Sequence, residues 1–495
     1  MLVGCVPLDD RPVSTQLPAL VCAVAGARLL LPPPAGRGVQ RVPGDVTVTS
    51  DWLDGLRCDA LVVSLEGLTS GGLIASRTGD ESLAELLDRL APLQRVRPPV
   101  HAAVVVPRTP DTDDAAEEPA YWATHGRALH ALSAALHTRA GVAAARAGVP
   151  ADVRLDWLRR RLRQHLLALA AVDLVADRSL ASLVVGVDDA ATRSLSVPDA
   201  THLAEHADRL EVGARVSVGH GADETSTVLC ARAVLGLSGL SGPRVAVVCA
   251  DPGGLARTAA YESSPVLDTA FEQLRAAGAH PQEGPVLDHQ DAADVVLVVH
   301  PPDGAGDWAV HPPGRTDTQA AAATADLVAD HLAAGRRVAV ADVAQPNGAD
   351  PALVAALGGR GLLGRLDGWA AWNTAGNSLG TVAAHLVAGH VGRATGTWDG
   401  AAHRRLLAAR LVEDWAWMCV VRHEVRARTG GDPHLHDHVT ADHPALTGVA
   451  ARLQELLAGV APDLGWHVVD SSVRLPWNRT FEVHIDLAPT PGGRP

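Results

Sequence analysis

The chain has 495 residues, 47% of them hydrophobic, and a formal net charge of -14. That is enough apolar material for two or three cores. The acidic balance argues against a nucleic-acid or anionic-membrane partner, because either favours a basic face.

Residues 1 to 8 carry no basic run and no small-residue cleavage site. They read as a first β-strand, not an export signal, so a cytoplasmic location is expected. The apolar stretch from 17 to 31 is too short and too interrupted, by Pro18 and Arg28, to span a membrane. Continuous apolar runs follow at 27–31, 60–65, 102–106, 183–187, 214–218, 245–249, 295–299, 338–341 and 366–371. Strands buried on both faces of a parallel sheet have this pattern. Between most of them lie helical stretches, for example 82–93, 197–210, 267–277, 318–334 and 378–389. The β-α-β-α order predicts an α/β fold: parallel sheets with helices on both faces, as two Rossmann-like units plus a helical C-terminal region. A (β/α) barrel with extensions is the alternative, since ten strands could be eight plus extras. The division expected is 1–240 with a helical insertion at about 125–180, then 241–395, then a mainly helical 396–495 ending in a β tail at 481–487. Six cysteines form no C-x-x-C pair, which predicts buried free thiols and no disulfide framework.

In parallel α/β folds, ligands bind beyond the carboxyl ends of the strands. Polar groups cluster at those places. The first strand runs into Asp9-Asp10-Arg11; in extended chain the two acids point to opposite sides, so one is expected to act and the other to orient Arg11. The third leads into Glu66 and then Gly71-Gly72, a pair suited to close backbone approach, positive φ or an anion cradle, with Arg77 able to clamp an anion or pair with Glu66. Arg108 follows the fourth strand, Asp188-Asp189 the fifth, and His220 to Glu224 the sixth, where Asp223 can also serve as a helix cap. Further on come Asp342, Asn347 and Asp350, then Trp372-Asn373 and Asn377, and near the C-terminus Trp477-Asn478-Arg479. Indoles beside carboxamides suit a polyhydroxylated ligand, with core packing the competing reading for the Trp rings. No metal ligand is assigned. The absence of H-E-x-x-H and of tight His/Cys clusters argues against zinc, although paired Asp residues can hold Mg²⁺ or another divalent cation. No nucleotide-binding glycine motif and no G-x-S-x-G elbow is present.

Pro7-Leu8-Asp9-Asp10-Arg11-Pro12, the segments 64–77, 186–189, 221–224, 347–350 and 372–380, and Pro476-Trp477-Asn478-Arg479-Thr480-Phe481-Glu482 together resemble the bacterial "domain of unknown function 4127" family. The resemblance runs in order over nearly the whole chain. It implies a bacterial cytoplasmic protein with a shared polar site and no established reaction. The family pattern has Asp where this chain has Glu66, Pro in place of His220 and Gly in place of Ala371; His220 is the departure with chemical consequence.

The expectation from these residues is a hydrolase of a glycoside or related polyhydroxylated small molecule, working by carboxylate acid–base catalysis. Asp10, Glu66, Asp189, Asp223 and Glu224 are the candidate catalytic acids. Asp9, Arg11, Arg77, Arg108, Asp188, Asp342, Asn347, Asp350, Trp372, Asn373, Asn377, Trp477, Asn478 and Arg479 are the candidate substrate ligands. A metal-dependent hydrolase or lyase on an anionic substrate, and a sugar- or metabolite-binding protein, are the alternatives. A cleft whose acids are all paired with Arg would favour binding alone.

Overall fold

The computed structural model describes residues 1–282, 293–429 and 438–490. Among the described residues, two open parallel sheets carry the ten strands expected. In the first, β1 (Leu2–Val6), β2 (Arg28–Leu30), β3 (Ala60–Ser64), β4 (Val100–Val106), β5 (Ser182–Val187) and β6 (Val216–His220) lie in the order β2-β1-β3-β4-β5-β6. In the second, β7 (Arg244–Val248), β8 (His280–Pro281), β9 (Val295–His300), β10 (Val338–Asp342) and β11 (Gly368–Ala370) lie in the order β11-β10-β9-β7-β8. Every pairing within these two sheets is parallel. The barrel alternative fails, because the strands divide between two sheets that each have free edges. β8 was not expected: it is a two-residue edge strand containing Pro281, and Pro is tolerated in a sheet mainly at such an edge.

The apolar runs are continuous because β3, β4 and β5 are buried at every position, so neither face can carry alternate polar residues. Contacts divide the chain into two compact units. The first holds Met1–Pro18, Arg28–Leu237 and Tyr261–Ser263; the second holds Ala19–Ala27, Ser238–Ala260 and the rest of the described chain from Ser264 on. Within the first unit, the insertion forms helices Trp122–Thr138, Val142–Ala147 and Ala151–Ala176. Trp122, Leu129, Leu132, Val149 and Trp157 give it a small core of its own. Its arginines pack as well as solvate: Arg161 is buried and donates to Pro107 O and Asp199, and Arg163 donates to Ser76 O and Glu81 O.

In the second unit the chain beyond 396 is mainly helical, and Leu411–Val421 is a π-helix of eleven residues. The expected tail strand at 481–487 is shorter and later: Leu487–Pro489 (β13) pairs antiparallel with Trp466–Val468 (β12). No described helix is long and apolar enough to cross a membrane.

Gly71 and Gly72 take φ of +76° and +146°. Their segment is interlocked with the loop at 36–44 backbone against backbone. Gly44 N donates to Gly71 O at 2.8 Å, and a Cβ on Gly38 would collide with that same carbonyl. The pair thus serves close approach, not an anion cradle: the helix that follows, Leu73–Thr78, has six residues, and the Gly71 carbonyl faces the Gly44 amide.

Candidate functional site

Five strands of the first sheet end on one edge, and each is followed by a charged group that the turn places there. The strand order reverses between β1 and β3, which makes this edge the expected crevice of the fold. Just past β1, Asp9 accepts from Arg11 N at 3.1 Å, Arg11 Nε at 2.9 Å, Arg11 Nη2 at 2.8 Å and Ser14 Oγ at 2.9 Å. Asp9 is therefore the acid that orients Arg11. The guanidinium then reaches the loop after β6, giving Nη2–Asp223 Oδ1 at 2.6 Å and Nη1–Asp223 Oδ2 at 3.2 Å. Both oxygens of Asp223 are held by Arg11. Asp10 is half-buried beside this pair, and its amide donates to Gly38 O at 3.0 Å.

A second knot joins β3, β4 and β5. Arg77 does not pair with Glu66 by hydrogen bond; its Nη2 contacts Asp188, and its Nη1 lies 3.4 Å from Glu118 and 3.5 Å from Glu117. Arg108 forks over three acids: Nε to Glu118 Oε1 at 3.0 Å, Nη2 to Glu117 Oε2 at 2.8 Å and Nη1 to Asp189 Oδ2 at 2.8 Å. Arg77 and Arg108 share one oxygen of Glu118, so Asp188 and Asp189 are drawn to one side even though they are neighbours in sequence. The left-handed backbone at Asp189, φ +33°, makes that possible. Glu117 and Glu118 were not foreseen, because they lie in the irregular loop after β4 and not directly behind a strand.

Burial pushes Asp188 up to about 6, and the Asp189 and Asp223 charges add to that, against the pull of Arg77 and Arg108. Burial also raises Glu118. Arg108 is held firmly charged: burial opposes its charge, but Asp188, Glu117, Glu118 and Asp189 more than offset that. Glu66 has a different setting. It is fully buried, accepts Val105 N at 2.8 Å and Ser64 Oγ at 3.2 Å, and is pushed up to about 7 by burial. It closes the backbone of β4 just beyond the end of β3 and does not join the Asp188 knot by a hydrogen bond. Glu224 is fully buried in the first turn behind Gly221. His220 accepts Ser263 N at 3.2 Å, and burial lowers it to about 4, so at neutral pH it is an uncharged acceptor that pins a loop.

The remaining candidates lie in the second unit. Asp342 accepts Asp350 N at 2.6 Å and Ala344 N at 3.2 Å; Asp350 caps the helix Pro351–Gly358 and meets His300 Nε2 at 3.1 Å. His300 Nδ1 meets Thr324 Oγ1 at 2.9 Å. All four side chains of this network are buried. Burial drives Asp342 up to about 6, with His300 opposing. Trp372 is not a stacking platform: its ring is buried, its Nε1 donates to Thr381 Oγ1 at 3.1 Å, and the Arg410 guanidinium lies 5.9 Å from its centre. Core packing wins there. Asn347 and Asn373 both have positive φ and meet through Asn347 N to Asn373 O at 2.7 Å. Asn377 lies in the first turn of the helix Ala375–Thr395. Near the C-terminus Trp477 and Asn478 both have positive φ, the Arg479 guanidinium lies 4.4 Å from the Trp477 ring centre, and Arg479 also binds Glu482 at 3.0 Å.

The sequence candidates thus form a first-unit set (Asp9, Arg11, Arg77, Arg108, Asp188, Asp189, Asp223) and a second-unit set around Asp342, Asn347, Asp350 and Asn373. Among the described residues, no group of three His, Cys, Asp or Glu side chains is placed to hold a metal ion. The Asp pair at 188–189, considered for a divalent cation, is engaged by Arg77 and Arg108. No curated protein and no solved structure matches the chain. The model of the family described as "Protein of unknown function (DUF4127)" matches residues 3–486, nearly the whole length, and the chain belongs to that family.

Proposed function

We propose that the chain is a hydrolase of a glycoside or related polyhydroxylated small molecule, acting through carboxylates at the carboxyl edge of the first sheet. One observation carries this reading: Asp188, pushed up to about 6, stands beside Asp189, which is bound to Arg108 and has a partly exposed side chain. A buried carboxyl raised toward neutrality next to a second, partly exposed carboxyl suits acid–base hydrolysis. In this reading Asp188 is the proton donor and Asp189 the second carboxyl of the pair. Arg77 and Arg108 position them, and Glu117 and Glu118 hold the two arginines. Arg11, Asp9 and Asp223 brace the neighbouring loops. Arg11, Arg77 and Arg108 are all engaged by carboxylates, which argues against their clamping an anionic substrate. The same saturation is the main support for the rival reading, a binding protein without turnover.

The test is hydrolysis of a panel of chromogenic glycosides with and without EDTA, beside Asp188→Asn. The expected result is EDTA-resistant turnover that declines as pH rises through about 6, because Asp188 must be protonated to act. Asp188→Asn should lower it by roughly 10²–10⁴-fold. Turnover that EDTA removes, or that survives Asp188→Asn, overturns the reading. Glycoside binding without turnover assigns the site to recognition alone.

A further inference from the structure

A second feature belongs to the second unit. In the second unit, the loops after β10 and β11 are seated side by side by the Asn347 N–H to Asn373 O bond. Asn347 is nine-tenths buried, and its Nδ2 donates to Asp307 Oδ1 at 3.0 Å. That carboxylate oxygen also takes the backbone N–H groups of Ala309 and Val310, so it can only accept. The amide orientation of Asn347 follows: nitrogen toward Asp307, oxygen away from it. The oxygen is buried and has no hydrogen-bond partner among the described residues. Asn377 repeats the arrangement. It is buried, its Nδ2 donates to Thr374 Oγ1 at 2.9 Å, and its Oδ1 has no partner among the described residues.

A buried acceptor left without a donor is costly, typically about 1–3 kcal/mol. Two such acceptors, one in the loop after β10 and one in the first turn of the helix after β11, call for something that donates to them. Asn377 also sits in the first turn of a 21-residue helix whose N-cap, Thr374, makes no side-chain capping bond because its hydroxyl is turned to Asn377. The positive end of a long helix and two amide oxygens together offer both donors and acceptors. The π-helix braces the two loops: Asp414 O accepts Ala349 N at 2.9 Å, Asp414 Oδ2 accepts Ala371 N at 2.8 Å, and Cys419 Sγ meets Ala349 O at 3.1 Å. Widened helical turns of this kind recur at functional sites. Asn347 and Asn373 add two left-handed non-glycine residues, a form of backbone strain that also concentrates at ligand sites.

We propose that the carboxyl ends of β10 and β11, in the second unit, form a ligand site for a small neutral polyhydroxylated molecule. Its hydroxyls donate to Asn347 Oδ1 and Asn377 Oδ1 and accept from the start of the helix Ala375–Thr395. A cation suits a helix N-terminus poorly, and an anion suits amide oxygens and nearby Asp307 and Asp414 poorly. A hydroxyl, which both donates and accepts, suits both sides. The proposal does not rest on the acid–base reading of the first unit.

The test uses the full chain and saturation-transfer NMR with sorbitol, myo-inositol and methyl glucosides, with inorganic phosphate as the anionic probe. Expected is binding of at least one polyol. Asn347→Leu should weaken it about tenfold, the loss of one neutral hydrogen bond, and Thr374→Val, which takes away the bond that orients the Asn377 amide, should weaken it independently. The part of the binding that Asn347→Leu removes should be the same in an Asp188→Asn background, which separates a failure here from a failure of the catalytic reading. Thr374→Val keeps the shape of the side chain and covers the case in which Asn347→Leu does not fold. The proposal is overturned if no polyol binds, if phosphate binds in place of the polyols, or if neither Asn347→Leu nor Thr374→Val weakens the binding of any polyol. A crystal soaked in polyol that shows only ordered water on the two amide oxygens overturns it as well.

Discussion

Replacing Arg11 with Met keeps the apolar stem and removes the guanidinium from between two carboxylates. Arg11 is buried, as is Asp9, and the Asp223 side chain is only 10% exposed. Two charge-assisted bonds go to Asp9 and two to Asp223, at 2.6 to 3.2 Å. The larger part of the cost is not the lost bonds but the two carboxylates left in poor solvent, as in other buried pairs that lose one partner; about 3–5 kcal/mol is expected. Asp9 keeps Ser14 Oγ and the Arg11 backbone amide, whereas both Asp223 oxygens lose their Arg11 bonds. Adding Asp223→Asn to Arg11→Met should therefore restore part of the loss, a coupling of about 1–3 kcal/mol. Two compact units make a single unfolding free energy ill-defined. Native-state hydrogen exchange on the β1 and β6 amides reads the first unit directly. A loss below about 1 kcal/mol, the range of a surface pair, or strictly additive effects of the two substitutions, would refute the claim that this ion pair spans the sheet in a desolvated setting.

Three other outcomes follow from the geometry. Glu66 is raised from 4.5 to about 7, so its ionisation costs stability as pH climbs through that interval, by about 3 kcal/mol at the upper end. Glu66→Gln keeps the Val105 bond and should remove that slope, and exchange rates of the β4 amides between pH 5 and pH 8 would show it. Burial pulls His300 down, but the Asp350 bond and the Asp342 and Asp350 charges outweigh it and leave it above 6.5. It therefore stabilises the second unit below that pH and ceases to do so as pH rises past its folded value. Asp350→Asn, which retains a good N-cap, should flatten this decline when thermal stability is followed from pH 6 upward. Gly221→Ala places a Cβ against the buried Glu224 carboxylate at φ +113°, so a loss of about 1–3 kcal/mol is expected from the strain alone. An unchanged melting temperature would contradict the packing at that turn.

The strand positions were legible because buried parallel strands leave uninterrupted apolar runs, and the polar residues after them marked the edge where the charged side chains gather. What the sequence could not reveal is which charges meet. Asp223 is 212 residues from Arg11, and Asp188 is 111 from Arg77. No local rule connects them. Arg77 was assigned a choice of Glu66 because that acid is near in sequence, yet the crossover from β4 to β5 brings Asp188 to it instead. Glu117 and Glu118 escaped notice because an irregular loop has no period to fix where its side chains point. Trp372 had the composition of a sugar platform, but its indole N–H is committed to Thr381, and only the packing of the helix behind it shows that. The π-helix leaves no 3.6-residue signature to read.

The interlock of the loops at 36–44 and 66–72 has a consequence for anyone scanning this chain by mutation. A Cβ on Gly38 would meet the Gly71 carbonyl, one on Gly71 the Gly44 carbonyl, and one on Gly67 the Pro7 carbonyl. Any side chain at these positions pushes apart the segments that deliver Asp9, Arg11 and Arg77. A saturation library will therefore find them as intolerant as the acids themselves, although they own no reactive atom. Intolerance in this neighbourhood is a measure of clearance between main chains. It cannot rank residues by their share in chemistry, and only isosteric changes, such as Asp to Asn, can do that.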